Sequence, residues 1–500
     1  MENLNENVIL ADAKENPVKR LLITGLVILS MFVAMKNFFN YADYFNATPV
    51  SVPVGSLTLI SILAIALLLV MVLFLKVQAF IALLITSMFV GLGTGMPLVG
   101  IIDSIQKGMG GTLGFVATVV GIGAIFGEIL EASGGAQALS HTLIKKFGRD
   151  KASWALMLTG FIVAIPVFLD VGFIILVPIV FSLAKEAKKS VLCYGIPLLA
   201  GLAVTHTFIP PTPGPVAVAE IVGADLGWVI LFGAIIGLPT AILAGNVFGK
   251  YIGEKIFIDP MQFGKDDMAT EIDMPPFAAV VSIVAVPLVL IVVNTITTTM
   301  VKSGALQPGF MVDLFKFVGH PFFALILATL IAIYFLGIRR GFSKDDILNL
   351  STKALGPAGL IILVTGAGGV FKQILVDSGI GTLLAEKIAA SSMPAIVLAF
   401  LIAALVRVTQ GSATVAMITA AGIMAPVMAV MDMSAPMKAL MVISMASGAT
   451  LLSHVNDSGF WLVNRYFNMT EEQTLKSWTV MTSIISVSGF LLSWLISSFI

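Results

Sequence analysis

Apolar stretches long enough to cross a lipid bilayer recur from one end of this sequence to the other. A helix advances ~1.5 Å per residue, so ~20 apolar residues cover the ~30 Å of hydrocarbon. Candidate spans lie at Pro53–Leu75, Val77–Gly95, Thr112–Leu130, Val191–Ile209, Trp228–Gly249, Phe277–Thr299, Phe322–Ile338, Gly356–Val376, Lys438–Leu452 and Trp478–Ile500. In lipid each must satisfy its own backbone hydrogen bonds, which a helix does. The fold class is therefore an all-α polytopic membrane protein. Composition agrees: 58% of residues are hydrophobic and 11% charged, less than half the usual charged share of a soluble domain. Twenty-eight basic residues balance 28 acidic ones, so no basic footprint exists for nucleic acid. A single cysteine excludes a disulfide framework and a cysteine-held metal cluster.

Residues 1–20 are polar and end on Lys19 and Arg20, and no small-residue cleavage site is obvious after the apolar run that follows. Leu21–Phe39 reads as an additional span with a cytoplasmic N-terminus, not as an export signal. Two other apolar regions, Trp154–Ala184 and Pro394–Met431, are interrupted in the middle, leaving halves of about 15 residues, too short to span comfortably. Lys145, Lys146, Arg149 and Lys151 precede the first, and Lys185, Lys188 and Lys189 follow it. The positive-inside rule puts both ends in the cytoplasm and makes the region a re-entrant hairpin with its tip near Asp170–Phe173. The same rule, applied to Arg339, Arg340, Lys344, Arg465 and Lys476, brings the second hairpin in from the opposite face, with its tip near Gln410–Thr414.

The chain repeats itself. The run Gly121–Gly134 resembles Gly366–Gly379 at a constant offset, Phe126 matching Phe371 and Gly134 matching Gly379 (371 − 126 = 245; 379 − 134 = 245). His206 and His454 correspond at 248, each inside a polar break. Both halves read span, hairpin, broken span, span, and they enter from opposite sides. This is an inverted-topology repeat with two opposed hairpins and two broken helices, an arrangement of secondary transporters whose substrate sites lie at the repeat interface. The expected organisation is 1–52 (polar N-terminus and extra span), 53–250 (first half), 251–320 (connection with one span) and 321–500 (second half).

Four constellations carry the chemistry. Asp170 and Gly172 mark the first tip. A carboxylate there needs solvent, a partner or a proton, or it serves only as a helix cap. At the second tip, Arg407, Gly411, Ser412 and Thr414 join a charge and hydroxyls to a helix N-terminus, which favours an anion. The rival reading has the hydroxyls capping and packing, and Arg407 paired with a carboxylate. The third is Thr205–Pro215, with His206, Thr212 and four prolines in six residues. Such backbone cannot stay helical, and in a membrane it survives only beside protein or a water-filled cavity. The fourth is its repeat mate, with Ser453, His454, Asn456 and Asp457. Polar groups of this kind suit a polyhydroxylated solute, unless either stretch is an ordinary loop. Glu128 and Glu131 share a helix face and are further proton carriers to weigh. Lys372 stands at the repeat position of Gly127.

These motifs resemble the gluconate:proton symporter family, within the ion-transporter superfamily, from about Pro53 to Ile500. The most specific pieces are Gly110–Gly114, Asp170–Phe173, Pro210–Pro215, Gln410–Ala416 and Ser453–Trp461. The resemblance implies uptake of gluconate or a related sugar acid with protons, in a bacterial inner membrane, by a homodimer whose transport domain moves against a scaffold. The tips and breaks would meet near mid-membrane. Asp170, Gly172, Thr212, Arg407, Gly411, Ser412, Thr414, Ser453, Asn456 and Asp457 would bind substrate, and Asp170, His206, His454 or Asp457 would exchange the proton. No cofactor or metal is expected beyond the coupling ion. Thr212 stands where the family often has His, and Asp170 where several gluconate carriers have Glu. Sodium coupling, or another small organic anion or D-amino acid as substrate, is the transport alternative. An intramembrane enzyme is disfavoured, because no nucleophile–base pair or metal-spaced trio is visible.

Overall fold

The computed structural model describes residues 54–260, 274–383 and 393–500, and their regular structure is all helical. The expected span Leu21–Phe39 lies outside the described residues. Helices α1 (Val54–Leu73) and α2 (Ala79–Gly93) precede the long α3 (Leu98–Ala132). Then come α4 (Gly135–Phe147), α5 (Ala152–Val163), α6 (Leu169–Ala187), α7 (Leu192–Phe208), α8 (Pro213–Val222) and α9 (Leu226–Lys255). The connection holds α10 (Phe277–Lys302), α11 (Phe310–Val318) and α12 (Pro321–Arg340). The second half holds α13 (Lys344–Asp377), α14 (Ala395–Gln410), α15 (Ala413–Val430), α16 (Ala435–Gly448), α17 (Ser458–Tyr466) and α18 (Glu471–Ser497). Nine helical segments among the described residues are long and apolar enough to cross a membrane.

The repeat holds element by element. Helices α3, α5, α6, α7, α8 and α9 recur as α13 to α18 at a nearly fixed spacing (344 − 98 = 246; 413 − 169 = 244; 458 − 213 = 245). The two long helices pack antiparallel along their length. At one end Ser104 Oγ donates to Asp377 Oδ2 at 2.6 Å, and at the other Lys353 Nζ meets Glu128 Oε1 at 2.8 Å. Equivalent helices running in opposite directions are what inverted topology demands. Broken pieces lie inside: α7, α8, α15 and α16 are buried over most of their length, whereas α10 presents Val289 and Ile296 outward. Interrupted backbone is thus covered by protein, and unbroken apolar helices take the lipid side.

The halves are also fastened alike. A Cβ on Gly201 of α7 would lie 2.2 Å from Met157 O and 2.7 Å from Phe161 N of α5. A Cβ on Gly448 of α16 would lie 2.3 Å from Phe400 O and 3.0 Å from Ala404 N of α14. The same backbone-on-backbone crossing is built twice. Each of Gly201→Ala and Gly448→Ala is expected to cost about 1–3 kcal/mol by overpacking. The check is the melting temperature in detergent; an unchanged value for both would show that the crossing yields freely.

Three expectations need correction. The first hairpin breaks at Ala164–Phe168, not near Asp170–Phe173, because Pro166 stops the helix; Asp170 already sits in the first turn of α6, where the dipole favours an acid. The proline run interrupts helix only up to Thr212. Pro213 and Pro215 open α8, since a first turn needs no N–H from them. The spans expected at Thr112–Leu130 and Gly356–Val376 extend to 35 and 34 residues, about 50 Å each at the helical rise. Their polar ends, with Asp103, Lys107, Lys344 and Asp345, reach past the hydrocarbon.

Candidate functional site

Four interruptions break the helices: 164–168, 209–212, 411–412 and 449–457. Three of them, all but 209–212, contribute to the wall of a cavity of about 520 Å3. Asp170, His206, Arg407, Gly411, Ser412, Thr414, Asn456 and Asp457 line it together. Residues 170 and 457 are nearly three hundred apart in sequence, and only the convergence of both halves makes them neighbours. Three helix N-termini end at this wall: α6 at Leu169 and Asp170, α15 at Ser412 to Thr414, and α17 at Asp457 to Gly459. Each presents the positive end of a dipole, and α15 and α17 each have one first-turn N–H taken by a cap side chain, Val415 on Ser412 and Gly459 on Asp457.

Arg407 is held, not free. Its side chain is 4% exposed, and its Nη2 lies 2.5 Å from Oδ2 of Asp457, itself 12% exposed. Its Nη1 donates to the Gly411 carbonyl, and its Nε has no partner among the described residues. Asp457 also accepts from Ser453 Oγ, and through Oδ1 from the Gly459 N–H at 3.1 Å, capping α17. Trp478 Nε1 donates to Ser453 Oγ at 2.6 Å. The second tip is pinned to the second break by further bonds: Asn456 Nδ2 donates to the Val408 carbonyl at 3.0 Å, and His454 Nε2 lies 2.8 Å from the same oxygen. Gly411, with φ +89°, lets the tip turn directly against the Asn456 carbonyl.

Groups left over point to a ligand. Asn456 Oδ1 and His206 Nδ1 are buried without a hydrogen-bond partner among the described residues. Ser412 Oγ accepts from the Val415 N–H as an N-cap, which leaves its own proton to donate. The charged side chains at the cavity wall are Asp170, Arg407 and Asp457, summing to −1 with His206 neutral.

Four expected site residues stand elsewhere. Gly172 packs on α7, where a Cβ would lie 2.9 Å from Leu202 Cδ2. Thr212 is buried behind the proline break, its hydroxyl donating to the Ile209 carbonyl at 2.6 Å. Ser453 is fully buried behind Asp457, and His454 lies off the wall on Val408. Gln410 of the expected second tip lines the cavity as well, and Thr450, Trp478 and Thr482 do so unforeseen. Trp478 and Thr482 lie on the apolar part of α18, and nothing in an apolar run marks the face that turns inward. Glu128 is paired with Lys353, and Lys372 has Glu220 as its charge partner.

A polytopic bundle with two pairs of interrupted helices and one open cavity, its wall mixing apolar side chains with Asp170, Arg407, Ser412, Asn456 and Asp457, defines a membrane carrier. The sequence profile described as GntP family permease matches residues 56–500, and the chain belongs to that family. The gluconate permease of Pseudomonas aeruginosa is 41% identical over 84% of this chain and 93% of its own length. The high-affinity gluconate transporter of Escherichia coli is 42% identical over 87% of this chain and 97% of its own. Among solved structures, the YdaH transporter of Alcanivorax borkumensis covers 81% of this chain and 90% of its own, with a TM-score of 0.57 at 14% identity, and shares the fold.

Proposed function

We propose that this permease imports gluconate or a closely related sugar acid together with protons. In this reading it works in a bacterial inner membrane as a homodimer with a cytoplasmic N-terminus. The hairpins are re-entrant, and the bundle around them shifts against the long helices in an elevator-like cycle. The observation that carries the substrate class is the meeting of three helix N-termini on one polar cavity. The α15 terminus, with Ser412 and Thr414, receives the carboxylate. Asn456 Oδ1, Gln410 and Thr450 receive hydroxyls. Arg407 and Asp457 hold each other and keep that surface in shape.

Charge arithmetic supports the proton. The wall carries −1, and a sugar acid adds another −1. Moving −2 through a low-dielectric region is costly, and a proton on Asp170 removes half of it. Wild-type proteoliposomes under an imposed inward proton gradient, free of sodium, are expected to accumulate labelled gluconate above equilibrium. Accumulation that needs a sodium gradient and ignores the proton gradient would replace this reading with sodium coupling. A thermal-shift panel of aldonic acids and D-amino acids ranks the substrates, because only a bound ligand raises the melting point.

A further inference from the structure

Behind the first tip lies a second chamber of about 140 Å3. Glu128 and Glu131 of α3, Lys353 and Pro357 of α13, and Pro166 to Phe168 of the tip line it. Lys353 is 71% exposed, so the chamber meets solvent. Against the tip and α3 lies a third space of about 10 Å3, lined by Gly123, Ala124, Pro166 to Phe168 and Pro211 to Pro213, with room for roughly one water molecule. Phe168 lines all three spaces. Its ring lies 6.0 Å from that of His206, whose Nδ1 is buried and unpartnered.

The titratable groups stand on both sides of this ring. Outside are Glu131 and Glu128, the latter paired with Lys353 at 2.8 Å. Inside are Asp170 and His206, with the paired Arg407 and Asp457 across the cavity. Glu131 interacts electrostatically with Glu128, Lys353 and Asp170, and His206 with Asp170.

We propose that Phe168 is a plug between the substrate cavity and a separate proton inlet, in which Glu131 is the relay. A proton from chamber water binds the Glu131 carboxylate, passes to the Asp170 carboxylate once the Phe168 ring moves aside, and leaves Glu131 ionised again. The plug keeps this transfer closed until the tip moves, so protons do not cross without substrate. The proposal rests on the proton-symport reading above.

The test is proton leak without substrate, read with a pH-sensitive dye trapped in proteoliposomes. Phe168→Ala is expected to leak several-fold faster than wild type, and Phe168→Trp no faster. Glu131→Gln added to Phe168→Ala should return the leak to the wild-type rate, which a merely loosened fold would not do. Phe168→Leu gives the same readout if the alanine variant reconstitutes poorly, with gluconate-induced thermal stabilisation confirming a folded cavity. Equal leak in wild type and both smaller variants overturns the plug, and a leak insensitive to Glu131→Gln overturns the relay. Failure of wild type to accumulate gluconate with protons strikes the symport reading instead, and is seen in a separate arm.

Discussion

Replacing Asp457 by asparagine is expected to abolish gradient-driven uptake and to lower stability by about 3–5 kcal/mol, the range for removing one partner of a buried ion pair. The carboxylate accepts on both oxygens: Oδ2 from Arg407 and Ser453, Oδ1 from the Gly459 N–H. An amide has one acceptor. Whichever way it turns, its NH2 group meets either the guanidinium or the α17 cap, donor against donor. Arg407, 4% exposed, is then left as a buried charge without its counter-ion. The second tip and second break would keep only the bonds of Asn456 and His454 to the Val408 carbonyl. Uptake rate and melting temperature check this together. Adding Arg407→Gln to Asp457→Asn should recover part of the stability, because the orphaned charge goes with it. Undiminished uptake by the single variant would remove the pair from the working site.

Gly411→Ala is the second change with a large expected effect. The residue has φ +89°, and left-handed backbone costs a side-chain-bearing residue roughly 1–2 kcal/mol. The added Cβ would also stand 2.1 Å from the Asn456 carbonyl oxygen. The two nearest atoms, the Asn456 carbonyl oxygen and carbon, are backbone, so no flexible side chain can relieve the clash. The Gly411 carbonyl accepts from Arg407, so any shift of the tip also disturbs the ion pair. Loss of uptake with helical content retained by circular dichroism is the expected result. Gly223→Ala is the control. It also has positive φ, +67°, but open space around its Cβ, so only the backbone strain applies. Equal behaviour of the two variants would show that the tip-to-break contact does not matter.

The bundle and its repeat were legible in the sequence because lipid imposes a length on every span and the two halves share a spacing. The broken regions were legible because prolines, Gly411 and clustered polar groups cannot continue a membrane helix. The first tip was misplaced by a few residues because the eye goes to Asp170, whereas Pro166 ends the helix. Helices α8 and α17 were hidden behind the breaks that precede them: nine or ten residues after a polar or proline-rich run carry too little periodicity to stand out. The Arg407–Asp457 pair spans fifty positions, and a sequence names charged residues without naming their partners. Phe168 opens the motif that holds Asp170, but as one apolar residue among many it carried no role of its own. Its position became meaningful only when three cavities were seen to share it.

The doubled glycine crossing gives the molecule an internal control that few proteins have. Met157 under Gly201 and Phe400 under Gly448 are the same joint facing opposite ways across the bilayer. A probe or substitution placed at one joint can be compared with its twin in the same polypeptide, the same vesicle and the same lipid. Any asymmetry between the twins then reports the direction of transport and not the chemistry of the label.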